Sequence, residues 1–284
     1  ASSSLNAASS SSAVHSMHDF VGAALHEPYH DNPHTKGFMR VDPKVLTDVV
    51  PKILRDGWQV NIHAIGTMPT SAAAVRTNAN GVVLDTFEAA LKDVDITALR
   101  PRLEHAQILT QTDLERVGKL GVISSIQPTH AYFAEERLGP ERVKGSYAFR
   151  SLLDHGSRFA IGSDFSVEDM NPLAGFHAAI TRLSPERQSP NGPSGWYGFL
   201  VQKFSIQLMY VSQQRLTHME ALRGMTIDAA YASFTEDSLS SLVPGKRADY
   251  VVLSQDIMAI PVNQILSTKV QATVIDGRVA FGQV

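Results

Sequence analysis

Four short strand-like segments, each arriving at a polar residue, constrain this chain more than any other feature. Val60-Asn-Ile-His-Ala-Ile-Gly66 carries His63, and Arg100-Pro-Arg-Leu-Glu-His-Ala-Gln107 carries His105. Val122-Ile-Ser-Ser-Ile-Gln127 closes on Gln127, and Phe159-Ala-Ile-Gly162 runs through Ser163 into Asp164. The four polar residues lie 42, 22 and 37 positions apart, and a helix-patterned stretch falls in each interval. Strands alternating with helices at this spacing form the βα units of a parallel sheet. Right-handed crossovers then bring the ends of all four strands to one face, where α/β proteins place their chemistry.

The intervening segments read as follows. Asp42-Pro43 is an N-cap followed by a first-turn proline, and Val45, Leu46, Val49, Val50, Ile53 and Leu54 repeat at helical spacing up to Gly57. Residues 67–81, rich in Ala, Thr and Asn, read as loop, and Val82 to Leu91 as helix. Thr112 to Leu120 is helical with Gly121 as its stop, and Glu135 to His155 is helical around a break at Gly139-Pro140. Asn171 to Arg182 forms a further helix. After a Pro/Gly/Ser-rich loop, Thr217-His-Met-Glu220 is a capping box opening another helix, and Ile227 to Phe234 continues helical. From Val243 the character changes. Ala248 to Leu253 and Val270 to Phe281 pattern as strands, with Asp276-Gly277 as a hairpin turn. Residues 1–21 are expected to be a disordered Ser/Ala-rich tail, 22–242 the α/β domain, and 243–284 a C-terminal β element.

Composition narrows the chemistry. The chain has 284 residues and a net charge of −3, so it offers no basic footprint for nucleic acid or an anionic membrane. It contains no cysteine, which removes disulfides, thiolate metal sites and Cys nucleophiles. No apolar run approaches the ~20 residues of a membrane span, and no signal peptide is evident, so a cytoplasmic location is expected. Eleven histidines stand out, five of them between His15 and His34. That cluster reads as solvated loop histidines or, less simply, a metal-binding loop.

At the strand ends, His63, His105 and Asp164 supply two imidazoles and a carboxylate, a donor set suited to zinc and also to iron or manganese. A divalent ion held there would bring the pKa of its water to about 7. Gln127 and His130 lie on the same face and either orient substrate or serve the loop. A serine nucleophile is disfavoured, because Gly162-Ser163-Asp164 lacks the second glycine of a Gly-x-Ser-x-Gly elbow. No dinucleotide or Walker A glycine pattern occurs.

Asn61-Ile-His-Ala-Ile-Gly66, Arg102-Leu-Glu-His-Ala-Gln107, Ser125-Ile-Gln-Pro-Thr-His130 and Ile161-Gly-Ser-Asp-Phe-Ser-Val-Glu168 together resemble the metal-dependent amidohydrolase superfamily. The branch they resemble is amidohydrolase family 3, the group similar to N-substituted formamide deformylase. Glu220-Ala-Leu-Arg223 and Leu242-Val-Pro-Gly-Lys-Arg-Ala-Asp-Tyr-Val-Val-Leu253 are similar to that family's ending. The resemblance implies a (β/α)8 TIM barrel with a small β-sandwich built from both termini. It implies His63 and His105 as metal ligands of strands five and six. Asp164 becomes the strand-eight carboxylate, which takes a proton from the attacking water and passes it to the leaving amine. The implied reaction is hydrolysis of a non-peptide C–N bond in a small amide-type molecule, with a divalent metal, zinc first, as cofactor.

Departures accompany the resemblance. The family's His-x-His pair is absent, and His15 and His18 are separated by two residues rather than one. Its strand-four lysine has no counterpart upstream of Gly22. Residues 67–78 and 198–211 look inserted. The expectation is therefore an incomplete barrel, roughly strands 4/5 to 8, holding one metal or none, in a truncated form of impaired activity. The rival expectation is a non-catalytic relative, a pseudoenzyme or a subunit completed by a partner. Open sheet edges would favour homo-oligomerisation.

Overall fold

The computed structural model describes residues 23–25, 27–66, 79–133, 146–183 and 214–284. The expected N-terminal tail, both inserted-looking segments, and His15, His18 and His26 lie outside these residues. Strands β1 (Asn61–Ala64), β2 (Arg102–His105), β3 (Ile123–Ile126) and β4 (Phe159–Ile161) form one parallel sheet in the order β1-β2-β3-β4. This is the α/β arrangement that the spacing of the polar residues implies.

Helices connect the strands because each intervening segment has a start, an apolar face and a stop. Helix α1 (Pro43–Arg55) is capped by the Asp42 carboxylate, which accepts from the Lys44 N–H, and it buries Val50 and Leu54. Gly57 follows at φ 84, a left-handed turn that favours glycine. Helix α2 (Ala79–Ala90) begins three residues before the expected start. Asn80 and Gly81 are poor helix formers, yet both are buried. The Asn80 amide donates to the Ile108 carbonyl at 2.7 Å, and this tertiary anchor outweighs the local preference. A short α3 (Ile96–Leu99) precedes β2. Helix α4 (Gln111–Leu120) takes its cap from Thr110 and ends on left-handed Gly121.

The long helix expected to reach His155 is, among the described residues, confined to α5 (Phe149–Asp154), with 134–145 outside them. Ser146 bridges to Ile108, and Tyr147 sits at φ 52 with its N–H on the Gln107 carbonyl. Those cross-chain contacts replace helical ones. Helix α6 (Pro172–Thr181) is capped by Asn171, and α7 (His218–Met225) by a complete Thr217/Glu220 box. Helix α8 (Ile227–Ala232) follows.

In a parallel pair, residues in register share a face of the sheet. Ile62 and Leu103 point to the helix layer, as do Ser124 and Phe159, and there Phe87, Leu114, Val117, Phe149 and Phe176 complete the core. The opposite, inner face carries Asn61, His63, Arg102, Glu104, Ser125 and Ala160. Arg102 and Glu104 pair across it at 2.8 Å. One face is thus an apolar core and the other a polar surface leading up to the strand ends.

The C-terminal strands β5 (Tyr250–Leu253), β6 (Val270–Ile275) and β7 (Arg278–Gly282) form an antiparallel sheet in that order, closed by the turn at Asp276-Gly277. Ala272 and Val274 are buried beneath it. A second layer, which a sandwich requires, is not among the described residues.

Candidate metal centre

The site stands at the C-terminal ends of the parallel strands. His63 reaches it by simple alternation, two residues beyond Asn61 on the inner face and in register with Glu104. His105 does not. Its register partner is Ala64, so strict alternation would turn its ring into the helix layer beside Leu103. Instead the backbone of His105 (φ 78) and Ala106 (φ 45) is left-handed. For non-glycine residues this costs of order 1–3 kcal/mol and is sustained only where the surroundings enforce it. The twist brings the two imidazoles together, with His63 Nδ1 at 2.9 Å from His105 Nε2 and ring centroids 4.8 Å apart.

Beyond the end of β3, Gln127 places its Oε1 3.0 Å from His105 Nδ1. The chain then enters a 3₁₀ turn, Pro128–Phe133, which carries His130. Its ring lies 6.4 Å from that of His105 and nearly parallel to it. Gln107 Nε2 is 3.4 Å from His130 Nδ1, and the Tyr147 hydroxyl donates to the His130 carbonyl at 3.0 Å. Asp164 follows β4 at φ 57, exposed. Ligand atoms of His105, His130 and Asp164 lie within 4.8 Å of one another.

Burial governs the electrostatics. His105 is pushed down to about 4, first by desolvation and then by the neighbouring His63, with Asp164 pulling the other way. His130 is also lowered, chiefly by burial, against the opposing pull of Asp164 and the Ser163 backbone. Both shifts favour the neutral ring, the form in which an imidazole can ligate a metal.

All five residues singled out in the sequence stand around one point. The clustered ligand set differs from the expected one, however. His130, expected to orient substrate, groups with His105 and Asp164, whereas His63 joins through its contact with His105. Gln107, not singled out beforehand, is buried against His130. Its one signal was its place two residues past His105.

These donors fit a divalent ion. Two nitrogens bound to one zinc at 2.0–2.1 Å sit about 3.3 Å apart in tetrahedral geometry, close to the observed His63–His105 approach. The His130 Nε2 is buried with no hydrogen-bond partner of good geometry. Such an atom costs free energy unless something occupies the space before it.

The amidohydrolase family model matches residues 5–281. The chain is 33% identical over 261 residues to Protein LONG AFTER FAR-RED 3 of Arabidopsis thaliana, covering 90% of this chain and 40% of that protein. It is 25% identical over 235 residues to the N-substituted formamide deformylase of Arthrobacter pascens, covering 81% of this chain and 38% of the enzyme. Among solved structures, an uncharacterized metal-dependent hydrolase from Pyrococcus horikoshii superposes with a TM-score of 0.65 at 28% identity. That match covers 85% of this chain and 43% of the other. The chain belongs to the amidohydrolase family. It spans about two fifths of the length of these curated relatives.

Proposed function

We propose that this chain carries the metal-binding strand ends of a metal-dependent hydrolase that cleaves a non-peptide C–N bond in a small amide-type molecule. The observation that carries the reading is the convergence of His63, His105, His130 and Asp164 at the C-terminal ends of parallel strands. Membership of the amidohydrolase family and similarity to a formamide deformylase support the bond class.

In this reading His63 and His105 hold one divalent ion, with zinc the first candidate for nitrogen and carboxylate donors. The bound ion supplies a Lewis acid and a water of lowered pKa. Asp164, exposed at the rim, takes the proton of the attacking water and returns it to the departing nitrogen, so that the amine leaves neutral. His130 and Gln127 flank the position of the scissile group.

The test combines metal analysis with hydrolysis of a panel of N-substituted formamides and simple amides by the purified protein. About one zinc per chain is expected, with hydrolysis that a chelator abolishes and zinc restores. Asp164→Asn should lower kcat by about 10²–10⁴-fold, the usual contribution of a positioned acid–base group. Hydrolysis indifferent to both chelator and Asp164→Asn would overturn the reading.

A further inference from the structure

Two imidazoles stand side by side in this site, and each has a glutamine against its Nδ1. A neutral imidazole carries one proton, so whatever faces Nδ1 decides what Nε2 presents to the site. The two glutamines present opposite ends. Gln127 offers its carbonyl oxygen to His105 Nδ1 at 3.0 Å, and Gln107 offers its amide nitrogen to His130 Nδ1 at 3.4 Å. Both glutamines are buried, Gln107 at 8% exposure and Gln127 at 6%, so water does not readily substitute for either.

We propose that Gln127 and Gln107 hold His105 and His130 in opposite tautomers, giving the site one imidazole lone pair and one imidazole N–H. This rests on the hydrolase reading and gives the two rings different tasks within it. An oxygen can only accept, so His105 carries its proton on Nδ1 and leaves Nε2 bare. The short His63 contact is consistent with that assignment. In the metal-free protein only one proton fits between His63 Nδ1 and His105 Nε2 at 2.9 Å, and with His105 Nε2 bare it belongs to His63 Nδ1, from which a bound ion would displace it. A metal-ligating histidine in general donates its second N–H to such an acceptor, which fixes the ring and raises its basicity. Gln127 is then a positioning residue acting through His105, because its oxygen is engaged there and not on substrate.

The amide nitrogen of Gln107 can only donate, so His130 accepts at Nδ1 and carries its proton on Nε2. That Nε2 is the buried atom without a partner of good geometry, and the His130 ring belongs to the cluster with His105 and Asp164. An N–H held there suits the carbonyl oxygen of an amide, on which negative charge grows as the tetrahedral intermediate forms. His130 is accordingly a donor to substrate and not a third metal ligand. Tyr147 and Arg182 brace this arrangement from behind. The Tyr147 hydroxyl holds the His130 carbonyl, and Arg182, fully buried, donates to the Tyr147 carbonyl at 2.6 Å.

The test reads the tautomers directly, by long-range ¹H–¹⁵N correlation of histidine-labelled, metal-free protein. His105 should show a protonated Nδ1 and His130 a protonated Nε2. The same tautomer in both rings, or the reverse pair, would overturn the proposal, and neither outcome depends on whether the chain hydrolyses amides. Zinc affinity then separates positioning from packing. Gln127→Met keeps the volume and removes the acceptor, and should weaken zinc binding about 10–100-fold. Gln127→Glu restores an acceptor and should recover affinity, whereas failure to recover it counts against the proposal. Gln107→Glu turns the donor into an acceptor. It should move the His130 proton to Nδ1 and leave zinc affinity within about twofold, while kcat falls about 10²–10³-fold. A Gln107→Glu protein that loses zinc instead would make His130 a ligand and sink the division of roles.

Discussion

At Gly162 the inner face of the sheet is open beside Asp164. A Cβ placed there meets nothing within 4 Å, and the residue's φ is outside the left-handed range. A side chain is therefore compatible with the fold and would project into open space two residues before Asp164. Gly162→Val should change unfolding free energy by less than about 1 kcal/mol and raise KM well before it alters zinc binding. Denaturant unfolding and steady-state kinetics on the same preparation check both halves. The contrast with Gly66 is instructive. There a Cβ would sit 3.0 Å from the Ala24 carbonyl oxygen and 3.1 Å from Leu25 Cδ2, because the 23–25 segment lies directly on the turn after β1. Gly66→Ala should loosen that segment, read as faster amide exchange at Leu25, whose N–H bonds the Lys36 carbonyl. The same scale shows what was legible in the sequence. His63 follows from alternation alone. His105 does not, since only the left-handed backbone at His105 and Ala106 turns its ring inward. No pattern of apolar and polar residues encodes that reversal. Gln127 was visible as a strand-end residue and Gln107 was not, but the role proposed for either was hidden for a related reason, since it lies in which end of the amide faces which ring.

Among the elements, the N-terminus of α7 shows how a local signal becomes a tertiary one. Thr217 and Glu220 make the capping box that their spacing suggests. Glu220 also receives both Nη groups of Arg150 from α5, at 2.5 and 2.6 Å. Those hydrogen bonds hold its carboxyl down to about 2 against an ordinary 4.5. A carboxyl depressed in the folded state contributes stability that is fully present above about pH 4.5 and is lost as pH falls through about 2. Roughly a quarter of each side chain remains exposed, so screening limits the effect to about 1–2 kcal/mol. Glu220→Gln retains the box geometry and removes the charge. Its stability deficit in urea should be present at pH 6 and vanish near pH 2. The crossing of α4 with the residue after α5 is less forgiving. A Cβ on Gly118 would fall 1.7 Å from the His155 carbonyl oxygen, a backbone atom that cannot swing aside. Gly118→Ala should cost at least about 2 kcal/mol, measured as a lowered denaturation midpoint. Helix starts and stops were readable because caps and glycines are local chemistry. The early start of α2 and the shortened α5 were not, since Ile108 and Gln107 on a distant segment decide them.

For the whole molecule, the parallel sheet sets the terms. Its described residues comprise four strands, with β1 and β4 at the two edges and a polar inner face bearing the Arg102–Glu104 pair. No helix among the described residues is long and apolar enough to cross a membrane. The order of the strands and the single face bearing their polar ends were legible from the spacing of His63, His105, Gln127 and Asp164, because right-handed crossovers leave few other arrangements. What lies beyond the edges was not legible, since edge pairing depends on residues far away in sequence or on another chain. Unpaired strand edges expose rows of N–H and C=O groups that recruit further strands. Among the described residues, no further strand pairs with β1 or β4 on its outer side. The exposed Val251, Ile275, Val279 and Phe281 on the C-terminal sheet add further apolar surface. We therefore expect the isolated 30.9 kDa chain to elute as a dimer or larger on size exclusion with light scattering. Association should persist in Gly162→Val, whose change lies inside the site. It should weaken when a proline at Ile62 removes an N–H from the β1 edge or its pairing with β2. A stable monomer at micromolar concentration would overturn that expectation.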